Sequence, residues 1–130
     1  MKPPDPWRQG DIFWLDGCQP LHGDAAKRRP VIIVSTESMK RQMGGVLVVV
    51  ACTSTVYPDT EAIELPNRVQ VPQASSGLYK RTWAIPQWYL FVRTENLKDR
   101  AGYICGKLLD RVVLRFTFHY VRDTGPGGGT

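Results

Sequence analysis

Two short apolar segments separated by a polar, cationic connection constrain the fold most. The first is GDIFWLD at residues 10–16, and the second is VIIVS at residues 31–35, directly after KRRP. Their β-branched and aromatic content predicts strands at 12–15 and 31–34, with Pro30 at the start of the second, because proline is excluded from central strands. The connection, residues 17–29, carries a histidine, an acid and three consecutive cations. Such a segment suits phosphate binding better than core packing.

The composition is that of one small globular domain. The chain has 130 residues, of which 42% are hydrophobic and 22% charged, enough for a single modest core. No apolar stretch approaches the roughly 20 residues that cross a bilayer, and the N-terminus lacks the apolar region of a signal peptide. Cys18, Cys52 and Cys105 show no CxxC spacing. We therefore expect a cytoplasmic protein with reduced thiols, no membrane contact, no disulfide and no zinc site.

The net charge favours polyanionic partners. The formal charge is +5, with a sequence pI of about 9.3, and the cations cluster at residues 27–29 and 80–81. A basic cluster next to a strand is typical of nucleic-acid contact, although many basic proteins bind no nucleic acid.

Four further segments have the composition of strands, and they are separated by polar loops. Residues 46–51 are the most apolar run and predict a strand buried on both faces, which would present Thr53-Ser54-Thr55 to solvent at its end. Residues 35–45 predict a loop or a short helix, and 66–77 a loop. The remaining predicted strands are 62–65, 78–85 and 89–92, the last two separated at Pro86-Gln87.

The spacing of apolar residues along the sequence changes after Gly106. Apolar residues then recur at steps of three and four, which predicts an amphipathic C-terminal helix; they are Leu108, Leu109, Val112, Val113, Phe116 and Tyr120. We divide the chain into a proline-rich extended arm (1–9), a domain (10–122) and a flexible glycine-rich tail (123–130). The pattern indicates a small, strongly curved sheet closed by one helix.

The opening segments resemble the N-terminal signature of the MazF/PemK family of toxin endoribonucleases, a GDI-W strand and a loop ending in RPV-VVS. Later blocks agree in order, so that the resemblance covers about residues 9–118: the apolar strand followed by CTS at 52–54, IELP at 63–66, the SG pair at 76–77, and the closing stretch at 90–114. The resemblance implies a mainly β (α+β) fold, an SH3-like small barrel of the MazF/PemK/CcdB type with a C-terminal helix, usually a homodimer.

Three positions depart from the family pattern. Pro86 stands where members often carry an acid before the glutamine that Gln87 matches. Residues 78–83 are longer than usual, and Lys27 replaces a loop glycine. Because of these differences, the resemblance does not predict the substrate preference or the catalytic efficiency of this chain.

Cutting RNA without a metal needs a proton acceptor for the 2′-hydroxyl, donors for the phosphorane charge and a proton for the leaving oxygen. Arg29 is the first candidate because its planar guanidinium matches two phosphate oxygens, and Thr53 and Ser54 can donate hydroxyl hydrogen bonds. The resemblance implies the same roles for Arg29 and Thr53. Alternatively, Arg29 pairs with Asp24 or Asp16 on the surface, and the hydroxyls cap a turn.

Two histidines have different prospects. His22 is a suitable proton carrier near neutral pH, although a loop histidine is more often simply solvated. Asp24 matches the family's loop acid and would orient the loop cations. His119 lies on the predicted helix, where a structural role is expected.

A second candidate set mixes cations and aromatics. Unpaired bases stack on aromatic rings while cations contact the backbone, and the alternative for the aromatics, Trp14 included, is packing in the core or at a dimer interface. The RNA-binding candidates are Asp24, Lys27, Arg28, Lys80, Arg81, Trp83 and Gln87, with Trp88 and Tyr89 nearby. No spacing in the sequence matches a metal site or a phosphate-binding glycine loop.

The resulting prediction is a metal-independent, cofactor-free, sequence-selective endoribonuclease acting on single-stranded RNA and leaving 2′,3′-cyclic phosphate and 5′-hydroxyl ends. By resemblance it is the toxin of a type II toxin–antitoxin pair, neutralised by an acidic antitoxin segment that folds on binding. The alternatives are a toxin that acts by protein binding, as gyrase poisons of the CcdB type do, and an RNA-binding homologue without turnover.

Overall fold

Six antiparallel strands form one curled sheet, and a long helix follows them. The computed structural model describes residues 7–20 and 25–125. The strands are β1 (Asp11–Cys18), β2 (Lys27–Ile33), β3 (Val46–Thr53), β4 (Ile63–Leu65), β5 (Thr82–Arg93) and β6 (Leu97–Tyr103). The helices are α1 (Glu37–Gln42) and α2 (Gly106–Thr124), with a 3₁₀ turn at Thr94–Asn96. The strand order is β4-β5-β3-β2-β1-β6, which confirms the expected mainly β fold with a C-terminal helix.

The sheet buries both of its faces. One face, with Ile32, Val48 and Val50, packs against Val112 and Phe116 of α2. The opposite face carries a second apolar cluster, which includes Val31, Val49 and Trp88. Because successive side chains of a strand point to opposite faces, β3 must be apolar throughout, as its sequence predicts. Each fully buried Val or Ile contributes about 1.5–3 kcal/mol of transfer free energy.

Strand β2 begins earlier than the sequence predicts. Lys27, Arg28 and Arg29 belong to the strand rather than to the preceding loop, and Pro30 lies inside it, opposite Trp14 of β1. Proline is tolerated there because β2 pairs with β3 only through Val31, Ile32 and Ile33. At Pro30 the strand is therefore an edge on its β3 side, where no N–H is required.

Strand β5 is continuous across Pro86, so the predicted break into two strands is wrong, and residues 78–81 lie outside it. Tyr89 pairs with Val50 and Ala84 with Cys52, so residues 85–88 occupy the length that Ala51 alone occupies on β3. This bulge accommodates Pro86, since its residues are released from ladder pairing.

Strand β6 was not predicted. Its sequence, LKDRAGY, buries only Leu97 and Gly102 and shows no alternation of apolar and polar residues. It is an edge strand paired with β1, and charged side chains suit such an edge because they oppose further pairing.

The ends of the domain are tied to the sheet. Trp7 packs against the second cluster and the Gln9 amide donates to the Val34 carbonyl; the rest of the predicted arm, residues 1–6, lies outside the described residues.

Thr36 caps α1 by accepting from the Met39 N–H, and the predicted helix after Gly106 is confirmed. Residues 126–130 of the predicted tail are also outside the described part. None of the helices in residues 7–20 and 25–125 is long and apolar enough to cross a membrane.

Candidate active site

A pocket of about 200 Å³ lies where β2 begins and β3 ends. Its more buried lining comes from β2, β3 and the start of β5, and its exposed lining is largely cationic. The lining residues are Trp14, Lys27, Arg28, Arg29, Pro30, Cys52, Thr53, Ser54, Leu78, Tyr79, Lys80 and Thr82. The structure thus brings together most of the residues that the sequence analysis singled out from separate segments.

Arg29 and Thr53 line the pocket from neighbouring strands. Val31 of β2 and Ala51 of β3 form the last pair of the ladder between these strands, and Arg29 and Thr53 each lie two residues beyond that pair. Leu15 of β1 pairs with Arg29 on one side, and Trp83 of β5 pairs with Thr53 on the other. Arg29 and Thr53 share the face of the second cluster, since side chains alternate along each strand.

The Arg29 side chain is buried and incompletely bonded. Its residue is only 4% exposed, and Nε and Nη2 have no hydrogen-bond partner among the described residues. Its guanidinium carbon lies 5.1 Å from the centroid of the Trp88 ring, a cation–π contact. The indole of Trp88 is itself held by donation from Nε1 to the Gln19 carbonyl. The arrangement holds a buried, charged guanidinium in place, with two nitrogen atoms unpartnered among the described residues.

Thr53 is buried rather than presented to solvent as predicted. It is 4% exposed because β3 extends to include it, and its hydroxyl oxygen accepts a hydrogen bond from the Thr55 N–H at 3.1 Å. The turn-capping alternative therefore describes part of its role, while its O–H hydrogen stays available for donation. Ser54 and Thr55 are exposed in the following loop.

Arg28 points to different partners from Arg29. Its guanidinium pairs with Asp99 at 2.8 Å and with Asp16 at 3.4 Å, and lies 5.4 Å from the Trp14 ring. The hydrogen bond from Arg28 lowers the pKa of Asp99. Asp16 is thus a partner of Arg28, and the structure shows no pairing of Arg29 with Asp16.

The other RNA-binding candidates separate into two groups. Lys27 and Lys80 are exposed at the pocket. Arg81 instead forms two hydrogen bonds to Glu64, at 2.8 and 3.0 Å, and covers the half-buried Trp83 at 5.0 Å. The hydrogen bonds from Arg81 lower the pKa of the Glu64 carboxyl. Neither Arg81 nor Trp83 lines the pocket.

Gln87, His22 and Asp24 complete the predicted set. Gln87 lies in the bulge of β5, half-buried, and its buried Oε1 has no hydrogen-bond partner among the described residues. His22 and Asp24 lie outside the described residues, so their roles stay predictions. No histidine or carboxylate of residues 7–20 and 25–125 lines the pocket.

The buried thiols beside the pocket are neutral. Burial raises the pKa of Cys52, and the nearby Cys18 raises it further. Burial also raises the pKa of Cys18, although the Arg29 charge opposes that shift. Protonated thiols are poor nucleophiles and poor metal ligands, and the described part of the chain holds no cluster of three metal-ligating side chains.

His119 occupies a separate site on α2. It is buried, and its Nε2 lies 2.9 Å from Glu61, which also accepts from Arg115 at 2.6 Å. This position agrees with the expected structural role.

Tyr79 was missed by the sequence analysis. It is 69% exposed and lines the pocket next to Lys80. The sequence around an exposed aromatic residue can be the same as that around a buried one, so only the fold reveals that Tyr79 is exposed at the pocket.

Comparison with known proteins identifies the family. The sequence model for the PemK-like, MazF-like toxin of type II toxin–antitoxin systems matches residues 8–117. The chain belongs to this family. Comparison with curated proteins gave no match.

Solved structures share the fold across nearly the whole chain. MazF (Form-I) from Deinococcus radiodurans superposes with a TM-score of 0.63 at 14% identity, covering 91% of this chain and 96% of that one. An endoribonuclease in complex with its cognate antitoxin from Mycobacterial species gives 0.61 at 15%, with 88% and 95% covered. Mycobacterium tuberculosis toxin MazF-mt6 gives 0.59 at 17%, with 85% and 95% covered. The expected family and fold are thereby confirmed.

Proposed function

We propose that this toxin-family chain cleaves single-stranded RNA, mRNA in particular, and that Arg29 binds the scissile phosphate. The observation that carries the proposal is the buried Arg29 guanidinium, which lies against Trp88 and has Nε and Nη2 unpartnered among the described residues. A buried donor without a partner costs about 1–3 kcal/mol. Such a cost is expected where a ligand supplies the missing acceptors.

The proposed reaction is internal transesterification. The 2′-oxygen attacks the adjacent phosphorus and loses its proton, the bond from phosphorus to the 5′-oxygen breaks, and that oxygen takes up a proton. The products are a 2′,3′-cyclic phosphate and a 5′-hydroxyl. Negative charge grows on the two non-bridging oxygens in the transition state, where fixed donors stabilise it most effectively.

Each site residue has a role in this reaction. The Arg29 guanidinium binds the non-bridging oxygens as a fork, and the Thr53 and Ser54 hydroxyls donate to the same phosphate. His22 remains our predicted proton carrier. Because side-chain donors provide the charge stabilisation, cleavage is expected to proceed in EDTA.

The exposed cations extend the contact along the strand. Lys27 and Lys80 lie at the pocket and suit the phosphates on either side of the cut, since backbone contacts supply most of the affinity for a single strand. Base selection at the cut site would make the enzyme sequence-selective.

An acidic antitoxin is the proposed regulator. One structural relative is described as an endoribonuclease in complex with its cognate antitoxin, and the net charge of +5 favours an acidic partner segment. We propose that such a segment covers the cationic pocket in a cytoplasmic complex with a homodimer of this chain.

The deciding experiment incubates the purified protein with a long single-stranded viral RNA in EDTA and maps the fragment ends. We expect discrete cuts with cyclic-phosphate termini. Arg29→Ala should cut about 10²- to 10³-fold more slowly, in line with the loss of one charge-stabilising donor group, while still binding RNA. Arg41→Ala, an exposed arginine of α1 away from the pocket, is the matched control and should cut normally.

Two results would contradict these proposals. Equal cleavage by Arg29→Ala would contradict the site assignment. Intact RNA with the wild-type protein would contradict the nuclease and favour a protein-binding toxin or a homologue that binds RNA without turnover.

A further inference from the structure

An exposed tyrosine ring lies at the edge of the pocket without a core to fill. Tyr79 is 69% exposed, whereas its neighbour Leu78 is 2% exposed and belongs to the first core cluster. Both line the pocket together with Arg29, Thr53 and Ser54. The chain therefore anchors the loop through Leu78 and leaves the adjacent aromatic ring in contact with solvent.

The loop that carries Tyr79 is held in place by its own hydrogen bonds. The buried Asn67 accepts from the N–H groups of Val69 and Gln70, and the Ser76 hydroxyl donates to the Pro66 carbonyl at 2.6 Å. The Arg68 N–H donates to the Leu78 carbonyl at 2.6 Å, so the two ends of the loop are joined at the residue that precedes Tyr79. A backbone held in this way does not have to become ordered when a ligand binds beside it.

A cation accompanies the ring. The Arg68 guanidinium carbon lies 5.9 Å from the centroid of the Tyr79 ring, and Arg68 Nε donates to the Ala74 carbonyl at 3.2 Å. No ion pair involves Arg68 within the described ranges, and Lys80 follows Tyr79 directly. The exposed ring is thus next to Arg68 in space and next to Lys80 in the chain, and neither cation forms an ion pair with a carboxylate of the described residues.

We propose that Tyr79 is a stacking platform for one unpaired base of the RNA next to the scissile phosphate, with Arg68 and Lys80 contacting the neighbouring phosphates. This rests on the proposed function and adds a positioning residue to it. Unpaired bases stack on aromatic side chains regardless of their identity, and cations beside the ring follow the backbone. A stacked base would hold the strand so that the adjacent phosphate reaches Arg29.

The tryptophans near the site are less suited to this task. Trp88 is buried beneath Arg29. Trp83 is covered by Arg81, which Glu64 fixes in position, and Trp14 by Arg28, which Asp99 fixes. Tyr79 is the aromatic lining residue with most of its surface free in the described part of the chain.

The test uses a short RNA spanning a cut site mapped with the wild-type protein. A 2′-deoxynucleotide at the attacked position removes the nucleophile and prevents cleavage, and 2-aminopurine replaces one base at a time around it. Stacking quenches 2-aminopurine fluorescence, so we expect quenching at one position. Tyr79→Ala should abolish that quenching and weaken binding by about 5- to 150-fold, whereas Tyr79→Phe should retain both.

Tyr103→Ala is the matched control. Tyr103 is also exposed, at 43%, and has Arg100 over its ring at 5.6 Å, but it does not line the pocket. It should bind and quench like the wild type. If Tyr79→Ala also did so while the wild type cut RNA, the stacking role would be overturned and the proposed function would stand. If the wild type neither cut nor bound RNA, both proposals would fail.

Discussion

At the scale of single residues, Arg29 is proposed to serve function at a cost to the stability of the empty protein. Its unpartnered N–H groups cost about 1–3 kcal/mol, against about 0.5–2 kcal/mol gained from the Trp88 contact. Residues that serve a ligand are commonly unfavourable for the empty protein. The energetic role of Arg29 can therefore be tested without RNA.

We expect Arg29→Met to leave the free energy of unfolding unchanged or to raise it by about 1 kcal/mol. Methionine fills a similar volume, and no buried charge remains to be solvated. Urea unfolding of the two proteins measures the difference, and cleavage of RNA by the variant should be lost. A loss of stability above about 2 kcal/mol would instead identify Arg29 as a structural residue.

The residues differ in how far their roles could be read from the sequence. Arg29 and Thr53 were predictable as neighbours, because each lies at the end of a strongly apolar strand and consecutive strands tend to pair. The contact of the buried Arg29 with the Trp88 ring was not, since it depends on a bulge in β5. Tyr79 was also beyond prediction, as nothing local distinguishes an exposed aromatic from a buried one.

At the scale of elements, composition identified the buried strands and missed the irregular ones. Strand β3 and helix α2 are marked by continuous or periodic apolar residues, so both were predicted. Pro30 and Pro86 lie inside strands, contrary to the prediction, because each occupies a place where ladder pairing is absent on at least one side. Strand β6 has too few buried residues to show a pattern, and its position follows only from pairing with β1.

The loop before β5 depends on one glycine. Gly77 has φ +69°, and a Cβ there would overlap the Ala101 carbonyl oxygen, so Gly77→Ala combines a strained dihedral with a backbone clash. We expect it to lower the free energy of unfolding by more than about 3 kcal/mol and to impair RNA cleavage, since Tyr79 and Lys80 follow it.

Gly44→Ala provides the matched comparison. Gly44 has nearly the same φ, +68°, but its Cβ would meet open space, so only the dihedral cost of about 1 kcal/mol is expected. Urea unfolding of both variants measures the difference, and equal losses would contradict the clash.

The contact between α2 and the segment before β4 should depend on pH. Desolvation by burial raises the pKa of Glu61, but hydrogen bonds from Arg115 and His119, with their charges, lower it by more, so the net shift is downward. A lowered pKa contributes stability above the unfolded value of about 4.3, and this contribution is lost as pH falls through the folded value.

We therefore expect the stability of the wild type to fall below about pH 4.3 and Glu61→Gln to show a weaker fall. At pH 7 the variant should be less stable by about 1 kcal/mol. Urea unfolding from pH 3 to 7, about the titration range of carboxyls, measures both effects. Glu64, the partner of Arg81, is more exposed than Glu61, so Glu64→Gln should change the pH profile of stability less. Equal profiles for the two variants would contradict the role of Glu61.

At the scale of the whole molecule, the pairing of charges matters more than their sum. The net charge is +5, yet Arg28 and Arg81 are matched by carboxylates. Lys27, Arg29 and Lys80 at the pocket, with Arg68 beside it, form no ion pair among the described residues. These four cations can therefore contact RNA phosphates at this edge of the sheet without giving up an ion pair.

The salt dependence of RNA binding tests this distribution. Single strands lose affinity with a log–log slope of about −0.7 per phosphate neutralised, so four available cations predict a slope of about −3. Lys80→Ala should make the slope shallower by about 0.7. The double variant Arg81→Gln/Glu64→Gln removes a matched pair and should leave the slope unchanged. Fluorescence anisotropy with the uncleavable RNA between about 50 and 250 mM NaCl measures the slopes. If the double variant reduced the slope as much as Lys80→Ala, Arg81 would be contacting RNA, and the surface for the RNA backbone would extend beyond the pocket toward β4.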